Sequence, residues 1–227
     1  MSGDDCDSPG YAPGLSDKER DFQRLYGPWA AWDLEEARAV FDTTGLVWWI
    51  AGGYAVEAFT GVVREHDDID VSIFRRDVPR LIEALSGRYH TWAAGAPGLV
   101  PLTNAQMPVP EQADQVWLRA HALAPWRADV LVNPDRDGDW VSRRDPTFSA
   151  PLETVTWCRD GIRYLNAEIA LAFKAKLLRP KDQCDFDAAW PLLKPSARRW
   201  LVDYLERKEA EHPWLSQSRL ATTLEEP

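Results

Sequence analysis

The stretch that decides the fold occupies residues 48–74 and reads WWIAGGYAVEAFTGVVREHDDIDVSIF. It begins with a short apolar run rich in aromatic and β-branched residues, which is typical of a buried strand. Gly52 and Gly53 end that run, and the apolar positions of residues 54–60 then predict a short helix that stops at Gly61. From Asp68 onward polar and apolar residues alternate, which indicates a half-exposed second strand.

Two features of this stretch suit chemistry on a phosphate. Glycine lets the backbone approach a bulky ligand, and the free N–H groups of a helix that starts at Gly52 and Gly53 favour an anion. Asp68 and Asp70 stand at i and i+2, so both carboxylates project from one face of the strand. Hard oxygen ligands of this kind suit Mg²⁺. A phosphate cradle beside paired carboxylates therefore indicates metal-dependent phosphoryl or nucleotidyl transfer.

A third carboxylate is expected on a neighbouring strand, and Asp129 fits that role. It lies in a predicted strand over residues 126–132, whose apolar Ala128, Val130 and Val132 share the opposite face. A charge at such a position is costly unless it is paired or bound to metal. A glycine pair is usually a turn, and an Asp-x-Asp is usually a solvated strand face. It is the order of these features along one chain that favours a site.

The same residues resemble the core motif of the DNA polymerase β-like nucleotidyltransferase superfamily. Within it, they look most like the aminoglycoside 2″-O-nucleotidyltransferases and the lincosamide nucleotidyltransferases. The matching residues are WIAGG at 49–53 and REHDDID at 64–70, at the spacing that the family uses. One departure is Val62, where the family usually has a basic residue. The resemblance is strong over residues 47–74 and weaker over 115–132 and 166–205.

The resemblance implies an α+β protein with the nucleotidyltransferase fold, in which a small mixed sheet flanked by helices is followed by a C-terminal helical region. It implies that Asp68, Asp70 and Asp129 ligate two Mg²⁺ ions, and that Asp129 also accepts the proton of the acceptor hydroxyl. Metal charge and positioning would then supply most of the rate.

The nucleotide-binding residues follow from the same comparison. Gly52 and Gly53 would hold the β- and γ-phosphates of ATP or another nucleoside triphosphate, and Arg64 would contact the triphosphate. Lys174, on a predicted helix, is our candidate for a further phosphate contact, although a lysine there is more often a surface residue. Lys181 is the alternative, and its spacing also suits a helix-surface pair with Asp185.

The implied reaction moves a nucleoside monophosphate, AMP from ATP, onto a hydroxyl of a small molecule such as an aminoglycoside-like antibiotic, and it releases pyrophosphate. Two alternatives stay open: a toxin-like nucleotidyltransferase acting on tRNA or protein, and a non-catalytic domain that binds nucleotide. The formal charge of −10 disfavours a nucleic-acid partner. The presence of all three carboxylates disfavours a degenerate domain. His66 is expected to orient the Asp strand rather than to act as a base.

Local composition and the positions of glycine and proline in the 227 residues suggest the organisation of the chain. Residues 1–15 read as a disordered tail, 16–165 as the nucleotidyltransferase domain and 166–227 as a helical domain. Residues 93–114, with four prolines and two glycines, read as a long loop. No run is apolar enough to span a membrane, no signal peptide is recognisable, and three scattered cysteines suit a reducing cytoplasm. The acceptor, the preferred base and the oligomeric state do not follow from the sequence.

Overall fold

The computed structural model describes residues 17–96 and 98–218, so the predicted tail over residues 1–15 lies outside the described part of the chain. Two short 3₁₀ turns, at Arg75–Asp77 and Trp190–Leu192, accompany the α-helices, and residues 213–218 are also helical. The helices are α1 (Asp17–Tyr26), α2 (Leu34–Phe41), α3 (Gly52–Thr60), α4 (Val78–Leu85), α5 (Leu152–Val155), α6 (Ala167–Ala175), α7 (Pro180–Ala189) and α8 (Pro195–Lys208).

The strands form two sheets. The strands are β1 (Trp48–Ile50), β2 (Asp70–Phe74), β3 (His90–Gly95), β4 (Gly98–Leu102), β5 (Ala113–Arg119), β6 (Trp126–Asn133), β7 (Asp135–Arg136), β8 (Asp139–Val141), β9 (Ser149–Ala150), β10 (Thr156–Arg159) and β11 (Ile162–Leu165). The larger sheet has eight strands in the order β10-β11-β1-β2-β6-β5-β3-β4, and the smaller has the order β7-β8-β9.

The large sheet is mixed, as the resemblance implied, but with eight strands it is wider than the small sheet that was expected. Strands β2 and β6 run parallel, as do β1 and β11, whereas β1 with β2 and β5 with β6 are antiparallel. The predicted hairpin of β10 and β11 is present: Asp160 and Gly161 form its turn with φ values of 52° and 80°. Such a turn requires the positive φ that this pair tolerates.

Residues 93–114 are not a long loop, and that prediction is wrong. Strand β3 continues to Gly95, and β4 pairs with it in antiparallel register. Pro101 lies opposite Trp92 in this hairpin, where it causes no loss of pairing because β4 is the edge strand of the large sheet. Proline has no backbone N–H, so it disfavours a strand that is paired on both sides but not one at the edge of a sheet. The four prolines of residues 93–114 therefore did not exclude a strand in this segment.

The helices of the C-terminal region pack onto the same hydrophobic core as the sheet. Ile169 and Leu171 of α6 and Leu201 and Leu205 of α8 belong to one cluster of buried residues with Ile50 of β1. This core is continuous across residue 165, and the division into two domains stays a prediction. Within the described residues no helix is long and apolar enough to cross a membrane.

Candidate active site

Two of the three predicted carboxylates stand side by side in the large sheet. Asp70, the first residue of β2, is the direct register partner of Asp129 in the parallel strand β6. Register partners on adjacent strands lie about 5 Å apart and point to the same face. Asp68 lies two residues before β2 and is exposed, while Ile69 between them is buried. The sheet therefore brings Asp70 and Asp129 together, with Asp68 at the open side.

Asp129 is held in an environment that disfavours its charge. The residue is only 8% exposed, Gln115 of β5 donates to its Oδ2 atom, and its buried Oδ1 atom has no hydrogen-bond partner among the described residues. Burial, together with the negative charges of Asp70 and Asp68, raises the pKa of Asp129 well above its usual value. Burial and then Asp68 raise the pKa of Asp70 to about 6.

The Asp70 and Asp129 carboxylates are chemically suited to bind a divalent cation. A buried carboxylate oxygen without a partner, beside a second carboxylate whose pKa is raised, lacks a positive charge of the kind that Mg²⁺ supplies. Asp70 and Asp129 would be the ligands, with Asp68 as the third. Among residues 17–96 and 98–218 no group of three or more acidic, histidine or cysteine side chains is close enough to form a complete metal site.

Gly52 and Gly53 begin α3, and Gly52 lies directly against the Asp70 carboxylate. Gly52 has a φ of 61°, and a Cβ atom there would overlap the Asp70 carboxylate. A Cβ atom on Gly53 would overlap the Arg64 guanidinium and stand 2.7 Å from the His66 ring. Ala51, the N-cap, offers no side-chain hydrogen bond, so the first N–H groups of α3 have no capping side chain. Gly52 thus combines a positive φ with a close approach, whereas a side chain at position 53 would displace Arg64 and His66.

Arg64 and Lys174, the two predicted phosphate contacts, share one buried carboxylate. Arg64 donates to Asp185 through Nε and Nη2, at 3.0 and 3.1 Å, and Lys174 Nζ lies 2.9 Å from the same carboxylate. The side chains of Lys174 and Asp185 are 8% and 7% exposed. The positive charge of Lys174 favours the ionised form of Asp70 and so partly offsets the rise in its pKa that burial and Asp68 cause. Lys174 is therefore a buried ion-pair residue rather than a surface lysine.

A second carboxylate of α7 continues this network. Asp182 has a fully buried side chain, accepts from Arg179 Nε at 2.9 Å and lies 3.5 Å from Lys174. Burial alone would raise the pKa of Asp182, but the hydrogen bonds from Arg179 outweigh it and lower the pKa. The local pair of Lys181 with Asp185 is absent. Lys181 instead contacts Asp67 at 2.9 Å, so that prediction is wrong.

His66 has the orienting surroundings that were expected. Its Nε2 atom lies 2.8 Å from Glu57 of α3, and its ring stacks on Tyr54 with the centroids 3.9 Å apart. Burial lowers the pKa of His66, and the Glu57 hydrogen bond opposes that shift. The ring thus joins the segment before β2 to the first helix of the site.

Sequence reasoning missed two polar residues beside the acidic pair. Gln115 of β5 touches Asp129, and the positive charge of Arg143 partly offsets the rise in the pKa of both Asp70 and Asp129. Arg143 also pairs with Asp114. The signal for Gln115 was present, since a polar residue alternates with apolar ones in a strand next to β6. Arg143 follows β8 of the small sheet, and no local pattern indicates its position.

Part of the chain that builds this acidic site is similar to a family of adenylyltransferases. More particularly, residues 33–97 match the family model described as aminoglycoside-2″-adenylyltransferase. The resemblance seen in residues 49–53 and 64–70 is therefore confirmed. A comparison with curated protein sequences gave no match.

Solved structures are similar to this chain at low sequence identity, and two structures of ANT(2″)-Ia share its fold. A crystal structure of ANT(2″)-Ia in complex with adenylyl-2″-tobramycin has a TM-score of 0.50 and 16% identity, and covers 77% of this chain and 95% of that one. A solution structure of ANT(2″)-Ia has a TM-score of 0.51 and 18% identity, over 78% and 91%. A lincomycin-bound crystal structure of the lincosamide adenylyltransferase LnuA has a TM-score of 0.48 and 18% identity, over 70% and 96%.

Proposed function

We propose that the protein transfers AMP from ATP to a hydroxyl group of a small antibiotic-like molecule and releases pyrophosphate, with Mg²⁺ bound by Asp68, Asp70 and Asp129. The observation that carries this proposal is the register pairing of Asp70 with Asp129 directly beside the glycine-rich start of α3. That pairing joins an acidic site to a phosphate-binding helix N-terminus, which is the combination that nucleotidyl transfer requires.

Phosphate binding falls to α3 and the cations around it. Gly52 and Gly53 supply the first N–H groups of α3, Gly52 lies against Asp70, and the positive end of α3 favours the β- and γ-phosphates there. Arg64 lies against Gly53, and Lys174 lies behind it on the same Asp185 carboxylate. Both cations are already oriented by Asp185, so little side-chain freedom is lost when a triphosphate binds.

Asp129 is the group placed to accept the proton of the acceptor hydroxyl. Its Oδ1 atom is a free acceptor, while Gln115 holds Oδ2 and so fixes the carboxylate plane. A general base of this kind contributes roughly 10²–10⁴-fold to the rate. When bound, Mg²⁺ would lower the repulsion among the three carboxylates and stabilise the charge that develops on the α-phosphate.

The antibiotic acceptor is supported by the family match and by the net charge. The family model carries an aminoglycoside adenylyltransferase description, and ANT(2″)-Ia was solved with adenylyl-2″-tobramycin. An excess of acidic residues, 36 against 26 basic ones, suits a cationic acceptor and disfavours RNA.

The test is incubation of the purified protein with labelled ATP, Mg²⁺ and a panel of aminoglycosides, lincosamides, tRNA and protein. We expect a nucleotide adduct on an antibiotic hydroxyl, detected by mass spectrometry. An adduct confined to tRNA or protein would support the toxin-like alternative instead. If the protein binds ATP with Mg²⁺ but forms no adduct on any acceptor of the panel, the result would support a non-catalytic nucleotide-binding domain.

A further inference from the structure

A cavity lies away from the acidic site, between the C-terminal helices and the β10–β11 hairpin. Its volume is about 810 Å³, which is within the usual range for sites that bind small molecules. The wall is formed by the last residues of α3, the first residues of α6 and α8, β10, and the segment that ends at Ala150.

Four aromatic side chains form two pairs in this wall. Phe59 and Trp157 meet edge to face with centroids 6.5 Å apart, and Phe148 and Trp200 are tilted against each other at 5.4 Å. All four line the cavity and remain partly exposed. Aromatic faces attract an organic cation as well as an apolar body.

A carboxylate without a cation partner lines the same cavity. Glu168 is half-buried in the first turn of α6, and Asn166 Nδ2 donates to its Oε1 atom at 3.2 Å. Within residues 17–96 and 98–218 no lysine, arginine or histidine forms an ion pair with Glu168. Burial raises the pKa of Glu168, and no neighbouring positive charge contributes to that shift. The N-terminal end of α6 adds a partial positive charge near Glu168.

The cavity is distinct from the acidic pair. Glu168 and Lys174 stand six positions apart on α6, which is about 9 Å along the helix axis. Phe59 and Gly53 are separated in the same way on α3, which packs against α6. The acidic pair lies at one end of this helix pair, and the aromatic cavity lies at the other.

We propose that this cavity is a binding site for a small molecule that carries an ammonium group on an apolar or aromatic body. The ammonium group would contact Glu168 and the aromatic faces, and the apolar body would lie between the pairs Phe59–Trp157 and Phe148–Trp200. Arg159 and Lys194 also line the cavity, but neither forms an ion pair with Glu168, so this carboxylate is the group that would hold an ammonium.

The test compares two probes of the same shape, 2-phenylethylamine and 2-phenylethanol, by calorimetric titration of the full chain. We expect the amine to bind roughly tenfold more tightly than the alcohol, as one charge-assisted contact would give. In Glu168→Gln the amine should fall to the affinity of the alcohol, while the alcohol should bind unchanged and so report an intact cavity. Trp200→Leu should weaken both probes.

Asp70→Asn is the control for the acidic site, which could also attract an amine. We expect this variant to retain full binding of 2-phenylethylamine. The proposal is overturned if neither probe binds the wild-type chain, if Glu168→Gln keeps the preference for the amine, or if Asp70→Asn removes it. If Glu168→Gln binds neither probe, amine binding to Trp200→Leu decides the question. Loss of amine binding in Trp200→Leu supports the proposed site, and unchanged amine binding overturns the proposal.

Discussion

Replacing Asp70 by asparagine should stabilise the metal-free protein, although Asp70 is a predicted metal ligand. The carboxylate lies against α3 and beside Asp129, and its pKa is raised to about 6 from an ordinary value of 3.8. The folded state therefore binds this proton more tightly than the unfolded chain does. The free energy of unfolding consequently falls as the pH rises from about 4 to about 6. Above about pH 6 Asp70 is ionised in both states, and the free energy of unfolding stays at this lower value.

The size of the effect follows from that shift. A difference of about two pKa units corresponds to roughly 3 kcal/mol, and because Asp70 keeps some contact with solvent we expect about 2 kcal/mol. Asparagine has nearly the same shape and no charge, so Asp70→Asn should raise the free energy of unfolding by that amount at pH 7.5. The gain should shrink as the pH is lowered and vanish near pH 4.

The assay is urea unfolding of both proteins in EDTA at several pH values. Asp68→Asn is the matched control, because Asp68 belongs to the same motif but is exposed, and we expect a change below about 0.5 kcal/mol. With Mg²⁺ and ATP the order should reverse, since only the wild-type site gains stability from the bound ligands. A variant that is less stable than the wild type at pH 7.5, or a gain that does not depend on pH, would refute the reasoning.

Two further substitutions test the glycine contact and the buried network. Gly52→Ala should cost at least about 2 kcal/mol of stability and abolish nucleotide binding, because its Cβ would overlap Asp70; Gly45→Ala, with a similar φ and open surroundings, should cost about 1 kcal/mol. Equal losses in thermal unfolding would contradict the contact. Asp182→Asn should cost about 3 kcal/mol, because it leaves buried Lys174 short of a countercharge, whereas Asp67→Asn, on a side chain 87% exposed, should cost less than 1 kcal/mol. Similar denaturation midpoints for these two variants would be evidence against a structural role of the network.

The residues that could be predicted from sequence are those whose signal is local. The strand, glycine pair and helix at residues 48–60 follow from apolar periodicity and the glycines. Asp129 could be chosen because it interrupts an apolar strand, and the register with Asp70 then explains its position. In each case the residues that form the site and the sequence pattern that reveals them lie within a few positions of one another in the chain.

The residues that were missed depend on contacts between distant parts of the chain. Arg64 and Asp185 are 121 positions apart, and Lys181 and Asp67 are 114 apart, so helix spacing alone assigned the wrong partner to Lys181. The strand β4 was missed because its proline, Pro101, argues against a central strand, and only the sheet order reveals that β4 lies at an edge. Sheet order and buried ion pairs are set by the tertiary fold.

The most direct test of the central claim measures pyrophosphate release by the wild type and by Asp129→Asn, with ATP, an aminoglycoside acceptor and either Mg²⁺ or EDTA. Thermal unfolding of both proteins serves as the check that the variant is folded. We predict release by the wild type only with Mg²⁺ and acceptor together, and a loss of at least about 10³-fold in a folded Asp129→Asn protein. Undiminished release by Asp129→Asn, or release by the wild type in EDTA, would contradict the account.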